Sequence, residues 1–286
     1  MRWALILFLV AAVFVIPDAA PCSAHAKPSA DISRGPDLLD EPDTPDAGSE
    51  AEQVSSAISD ISATDISDMA AAGGASDVGI AVLDLESGQV VSEQGDKPFY
   101  SASLSKLILA VDALQQQLSA DDQDLVHRAL SVSDDNAMDV LWTRFDGMGA
   151  IGRVAAEAGL TGTHAPQDPS QWGEVVVTAD DMVRLYHYIL GSPVRDAVVA
   201  DLSSAQATAA DGFDQAFGLL GVTGAYAKQG WMYYLPSEVY LHSAGVLDNR
   251  YAVAVLTTNP SGDWATARQS INAVTQAVLG KLTVQG

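Results

Sequence analysis

The sequence predicts an α+β fold: one mostly antiparallel sheet of N- and C-terminal strands, flanked by helices. Three observations predict it. An apolar strand-like run lies early, at Val78-Gly79-Ile80-Ala81-Val82-Leu83, and three more lie late, at Ala225 to Tyr234, Glu238 to Val246 and Arg250 to Thr257. The long stretch between them carries helical periodicity, and a last helical run from about Trp264 to Leu279 follows the last strand. Strands grouped at both ends, instead of alternating one by one with helices, segregate into such an arrangement. With 286 residues and 48% apolar content the chain can bury a sizeable core, and it contains no internal repeat.

Residues 1–26 read as an export signal. Arg2 gives a positive start, Trp3 to Ile16 is an uncharged apolar run, and Ala24-His25-Ala26 offers small residues at a cleavage site. The alternative is a retained anchor, which a run this short disfavours. Cleavage after Ala26 removes Cys22, the sole cysteine, and with it any thiol or disulfide chemistry. A lipidated Cys22 fits poorly because Pro21 precedes it. Residues 27–52 set Asp37, Asp40, Glu41, Asp43, Asp46, Glu50 and Glu52 among Pro, Ser and Gly, which reads as a disordered acidic linker. Residues 53–286 form the folded domain. The net charge of −23 repels nucleic acid and anionic membranes. A secreted or cell-envelope protein follows, with no nucleic-acid partner and no stable membrane span in the mature chain.

Within the domain, Val54 to about Met69 reads as a helix on Ile58, Ile61 and Ile66. Asp77 to Val91 reads as a hairpin turning at Glu86-Ser87-Gly88. A helix from about Ser103 to Leu118 carries the stripe Leu107, Val111, Leu114 and Leu118. Asp124 to Leu130, Ala137 to Phe145 and Ile151 to Ala158 are helical too. Thr178-Ala179-Asp180-Asp181 caps a helix through Leu190.

Three short motifs carry chemistry. In Ser103-Leu104-Ser105-Lys106 the serine and lysine stand three apart, on one helical face. Burial in an apolar helix disfavours the charged lysine, and a neutral amine beside a hydroxyl can take its proton and make a nucleophile. The plainer alternative is a capping serine and a snorkelling lysine. Only five lysines follow residue 26, and Lys106 is the one set in an apolar stripe. Ser131 to Trp142 opens a helix with a polar cluster containing Ser133, Asp134, Asp135 and Asn136, which by itself is an ordinary cap. Lys228-Gln229-Gly230-Trp231 places a cation early in a strand, with a glycine that lets a ligand approach the backbone; an edge lysine is the plainer alternative.

In this order the three motifs resemble those of the serine β-lactamase and penicillin-binding protein superfamily, nearest to the class A type. Phe99 to Leu107 is similar to the approach to its nucleophile, Ser133-Asp134-Asp135-Asn136-Ala137 to its Ser-Asp-Asn motif, and Lys228-Gln229-Gly230 to its Lys-Thr-Gly motif. The resemblance implies a secreted serine hydrolase in which Ser103 forms an acyl-enzyme, Lys106 is the base and Ser133 passes a proton to the leaving nitrogen. Lys228 and Gln229 would hold a substrate carboxylate. The N–H groups of Ser103 and Trp231 would form an oxyanion hole, with Gly230 between. The substrate would be a β-lactam, another small molecule, or a cell-wall peptide, with no cofactor and no metal. His127, His164, His187 and His242 show no ligand spacing.

Four departures stand against the pattern. Asp135 occupies the asparagine position, where a carboxylate cannot donate to a substrate carbonyl and favours a charged Lys106. Gln229 replaces a small hydroxyl residue. Only 30 residues separate Ser103 from Ser133, which implies a reduced all-helical subdomain and a more open site. The loop glutamate that activates water for deacylation has no clear counterpart, Glu174 being a better candidate than Asp168. A D-Ala-D-Ala-type wall peptidase and a non-catalytic envelope binding protein therefore stand as alternatives.

Overall fold

The computed structural model describes residues 58, 61–234, 238–260 and 263–283. The expected signal and linker, residues 1–52, lie outside the described residues.

Ser62 opens α1 (Ala63–Ala71) through a reciprocal cap, its hydroxyl accepting from the Asp65 N–H while the Asp65 carboxylate accepts from the Ser62 N–H. It covers the later part of the helix expected over Val54 to about Met69; residues 54–57, 59 and 60 of that stretch lie outside the described residues. The hairpin follows as expected, with β1 (Asp77–Asp84) and β2 (Val90–Glu93). Its turn is fixed by Asp84, whose Oδ1 accepts from the N–H groups of Glu86 and Ser87 at 2.9 and 3.2 Å. After β3 (Phe99–Tyr100), a 3₁₀ turn at Ala102–Leu104 leads into α2 (Ser105–Leu114). That helix stops short of Leu118 because Ser119 caps the next one, α3 (Ala120–Ser131), which packs against it.

Next come α4 (Asp135–Arg144), α5 (Gly147–Ala158), β4 (Val176–Val177), and α6 (Ala179–Gly191) capped by Thr178 as predicted. A further helix, α7 (Arg195–Ser203), escapes sequence reading because it buries only Val198 and Leu202. The chain closes with β5 (Ala225–Tyr234), β6 (Glu238–Leu247), β7 (Tyr251–Asn259) and α8 (Trp264–Thr283). Among the described residues no helix is long and apolar enough to cross a membrane.

The sheet order is β2-β1-β7-β6-β5, antiparallel throughout. Successive side chains of a strand point to opposite faces. Val78, Ile80 and Val82 of β1 and Val253 and Val255 of β7 therefore meet Ile271, Val274 and Val278 of α8 on one side. Ala81, Leu83, Ala252, Ala254 and Leu256 meet the helices between α2 and α7 on the other side. Both faces being covered explains why these strands read as continuous apolar runs. At the centre of the helical layer α2 is buried on every side from Ser105 to Ala113, as a helix apolar all round must be.

One buried group ties the short β3 to the sheet. His242 is fully buried, its Nε2 lying 2.9 Å from the Tyr100 carbonyl while Nδ1 accepts from the Thr257 N–H at 3.2 Å. These partners specify a neutral ring with the proton on Nε2. Burial pushes the His242 pKa down to about 4, from an ordinary value of 6.5. Between those two values the unfolded chain binds the extra proton, so His242 stabilises the fold above pH 6.5 and that stabilisation drains away as pH falls toward 4. Over pH 7.5 to 5 the loss amounts to about 2 kcal/mol. Urea unfolding at both pH values measures it, and His242→Gln should shrink the difference between them by about that amount. An unchanged difference in the variant would show that His242 is not its source.

Candidate active site

Three backbone devices bring the predicted motifs together. The first is the turn before α2. Ala102 adopts the left-handed φ of 47°, a cost of about 1–3 kcal/mol for a residue with a side chain. Its carbonyl accepts from the hydroxyls of Ser101 and Ser105, at 3.1 and 2.9 Å. Ser103 thereby sits at the threshold of a buried helix, itself 4% exposed. The second device is Gly230. A Cβ there would stand 2.8 Å from the Ser101 carbonyl oxygen and 3.4 Å from the Leu104 nitrogen, so only glycine lets β5 lie this close to the turn. The third is the segment before α4. Ser133 has φ 54°. The Ser131 carbonyl accepts from Gln206 N–H and Gln215 Nε2, and that of Val132 from Ala210 N–H. Asp134 caps α4 through the N–H groups of Asn136 and Ala137, and is held by Arg128.

These devices converge on a small buried polar cluster. Lys106 Nζ lies 2.8 Å from Ser103 Oγ, 2.9 Å from the Ser133 carbonyl, 3.3 Å from Ser133 Oγ and 2.5 Å from Asp135 Oδ1. Lys228 Nζ approaches the same hydroxyl from the other side, 2.8 Å from Ser133 Oγ and 2.9 Å from the Gln229 carbonyl. Both lysines are 1% exposed. Lys106 has four oxygens around it, one more than an ammonium has hydrogens. In its neutral form the amine has two N–H donors and one lone pair to share among these oxygens, the lone pair being able to accept from the Ser103 hydroxyl.

Burial and the neighbouring carboxylates act on Lys106 in opposite directions. Burial pulls the Lys106 pKa below its ordinary value, and Asp135, helped by Asp211 and Asp134, pulls upward without cancelling the burial. Lys228 is pushed well below its ordinary value, first by burial and then by the neighbouring Lys106 charge. Two amines sharing one hydroxyl in a dry site cannot both stay charged cheaply. Asp135, by contrast, has 59% of its side chain exposed and reaches inward only with Oδ1.

Two predicted residues do not join the hydrogen-bonded cluster. The Gln229 side chain is buried, its Nε2 donating to the Phe217 carbonyl at 3.3 Å and standing 3.2 Å from Ser243 Oγ. It is thus spent on the far side of β5 and does not join Lys228 at a substrate. The two-residue alternation of a strand already implied this, since neighbours 228 and 229 must face opposite ways. Glu174 makes no hydrogen bond to the cluster among the described residues; its charge bears instead on Tyr234. In its neighbourhood it is Trp172 that reaches the site, with Lys106 Nζ 4.6 Å from its ring centroid and its Nε1 donating to Asp139 Oδ1. Trp231 stacks on Phe213 at 4.8 Å and its Nε1 donates to Asp211 Oδ2 at 3.4 Å. Trp172, Asp211 and Phe213 had no signal in the sequence as site residues, because all three come from loops whose course is set by the fold.

A sequence profile described as the beta-lactamase enzyme family matches residues 61–123 and 120–282. The chain belongs to that family. A Mycobacterium tuberculosis protein named "Putative lipoprotein LppW" is 35% identical over 230 residues, which span 74% of this chain and 71% of that protein. Among solved structures, a β-lactamase from Chitinophaga pinensis superposes with TM-score 0.63 at 15% identity, over 76% of this chain and 97% of the other. A class A β-lactamase from Mycobacterium abscessus does so with TM-score 0.60 at 16% identity, over the same 76% and 97%. At such identities the likeness establishes the fold, and the α+β architecture of this branch of the superfamily is the one described above.

The balance at Lys106 can be tested directly. Asp135→Asn removes the largest influence holding the Lys106 pKa up, so that pKa should fall further. An NMR titration of ε-¹³C-labelled lysines, with Lys106→Met assigning the resonance, reads the shift; an unmoved or raised midpoint would contradict the charge balance described.

Proposed function

We propose that this protein is a cell-envelope serine hydrolase that forms an acyl-enzyme on Ser103 with β-lactams or related amides and esters. The observation that supports it most is the dry contact of 2.8 Å between Lys106 Nζ and Ser103 Oγ, with Ser133 Oγ set between the two lysines. In this reading the Lys106 lone pair takes the Ser103 proton as Oγ bonds to the substrate's carbonyl carbon. The carbon–nitrogen bond then breaks, and the proton passes from Lys106 through the Ser133 hydroxyl to the leaving nitrogen. Lys228 keeps that hydroxyl oriented. The N–H groups of Ser103 and Trp231 serve as the oxyanion donors. An envelope location accords with the lipoprotein name of the mycobacterial relative.

The placement of Glu174 favours a second reading of the later step. With Glu174 making no hydrogen bond to the cluster among the described residues, and Asp135 Oδ1 engaged by Lys106, neither carboxylate is free to activate water; the acyl group then leaves slowly, and the protein behaves more like a penicillin-binding wall peptidase than a fast β-lactamase. The Asp135 ion pair carries the third reading, a fold retained for binding alone.

Intact-mass spectrometry of the purified protein with a penicillin and with a neutral nitrophenyl ester distinguishes them. The expected result is an adduct that forms readily and decays slowly, absent in Ser103→Ala and formed at least about 100-fold more slowly in Lys106→Ala. Its rate of formation should rise with pH through a midpoint below the ordinary lysine value of 10.5, because the reactive form is the neutral amine. Fast turnover would identify a β-lactamase. No adduct with either reagent would leave only the binding reading.

A further inference from the structure

Lys106 has a further neighbour besides its oxygens. The Trp172 ring lies over Nζ, its centroid 4.6 Å away. A water hydrogen-bonded to Nζ and in contact with that ring needs a separation of about 6 Å along the same line. The ring therefore closes the loop side of the amine to water. The other sides are taken by Ser103 Oγ, the Ser133 carbonyl, Ser133 Oγ and Asp135 Oδ1.

The ring is braced from several directions. Its Nε1 donates to Asp139 Oδ1 at 2.8 Å. The 3₁₀ turn that carries it, Trp172–Glu174, is closed by the Glu174 N–H donating to the Gln171 carbonyl at 2.8 Å. Trp142 Nε1 ties the segment before the turn through the Pro169 carbonyl at 2.8 Å. The Ser101 N–H ties the segment after it through the Val175 carbonyl at 2.7 Å. Asp139 and Trp142 both belong to α4, so one helix grips this loop at two points and holds Asp135 against Lys106 as well.

The consequence falls on the second half of the proposed reaction. Release of an acyl group from Ser103 needs a water oxygen to bond to the acyl carbon as the carbon–Oγ bond breaks. The water's proton passes to a base and then to Ser103 Oγ, leaving the free acid and the restored hydroxyl. Lys106 is the amine beside that oxygen, and water approaching it from the loop meets Trp172. The first half is spared. Acylation needs Nζ to reach only Ser103 Oγ, and a dry amine is held toward its neutral form.

We infer that Trp172 is a positioning residue that separates the two half-reactions: it leaves Ser103 open to acylation and denies water to Lys106, so that the acyl-enzyme persists. Its kinetic part rests on the proposed acylation of Ser103; the exclusion of water from Lys106 stands apart from it.

Decay of the adduct is followed by intact mass after a penicillin and after a neutral nitrophenyl ester. Trp172→Ala should release the acyl group at least about tenfold faster than the parent, and Trp172→Phe, which keeps a ring over the amine, should stay within about threefold of it. Asp139→Ala, which frees the ring without removing it, should fall between. In parallel the Lys106 ε-¹³C resonance is titrated in the same proteins. The charged groups that bear on this amine are Asp134 and Asp135 on α4, Asp211 before β5 and Lys228 on β5, and none of them is altered. Water admitted to the ammonium outweighs the lost ring contact. The midpoint should therefore rise toward 10.5 in Trp172→Ala and stay unchanged in Trp172→Phe. Unchanged decay in both Trp172→Ala and Asp139→Ala, equal acceleration in Trp172→Phe, or fast turnover by the parent would overturn the shield and leave the hydrolase intact. If Trp172→Ala does not fold, Asp139→Ala decides by the same two readings. No adduct in the parent would overturn the hydrolase. The midpoint then decides alone: a rise retains the exclusion of water from Lys106, and an unmoved midpoint overturns it.

Discussion

Everything at the centre of this molecule answers to one cost: taking two lysine amines out of water. A buried ammonium without compensation is prohibitively expensive, and two side by side are worse. The fold meets the cost by joining both amines to one hydroxyl, Ser133 Oγ, at 3.3 and 2.8 Å. That requirement fixes three elements against one another. Lys106 anchors α2, Ser133 the strained segment before α4, and Lys228 the edge strand β5. Left-handed backbone at Ala102 and Ser133 is tolerated where this cluster is assembled.

The same cost bears on reactivity. Dehydration lowers the proton affinity of Lys106, which in the proposed mechanism prepares it to act on Ser103, while Asp135 opposes it from the solvent side. Burial prevails because the opposing carboxylate is more than half exposed and is itself screened by water. Asp135 sits at the boundary of the cluster and not in its interior. Its outer oxygen then contributes to a rim whose charge differs from that of the dry chamber behind it.

Much of this architecture could be read from the residues, for physical reasons. Strands covered on both faces leave unbroken apolar runs, so β1, β5, β6 and β7 were visible nearly to their ends. The Thr178 cap marked α6 because a hydroxyl before two aspartates has few better uses. Helix α7 was invisible because two buried side chains make no stripe. Ser103, Lys106, Ser133 and Lys228 were found through their order along the chain. What approaches them across space, Trp172, Asp211 and the outward turn of Gln229, depends on loop paths and strand facing. Of these, only the strand alternation was legible beforehand.

The sheet's connectivity has a consequence for how the chain acquires its shape. The strand nearest the start, β1, pairs along its whole length with β7, so that Val82 meets Val253 and Asp77 meets Thr258. Partners so distant in sequence demand closure of a very long loop before either strand gains its hydrogen bonds. Until β7 has been synthesised, β1 has an open edge and apolar faces. The helices from α2 to α7, contiguous in sequence, can settle against one another sooner. Completion of the sheet, and of the wall that Lys228 supplies, is therefore a late and slow event, and an incomplete chain exposes a sticky strand that a chaperone or a protease would find first.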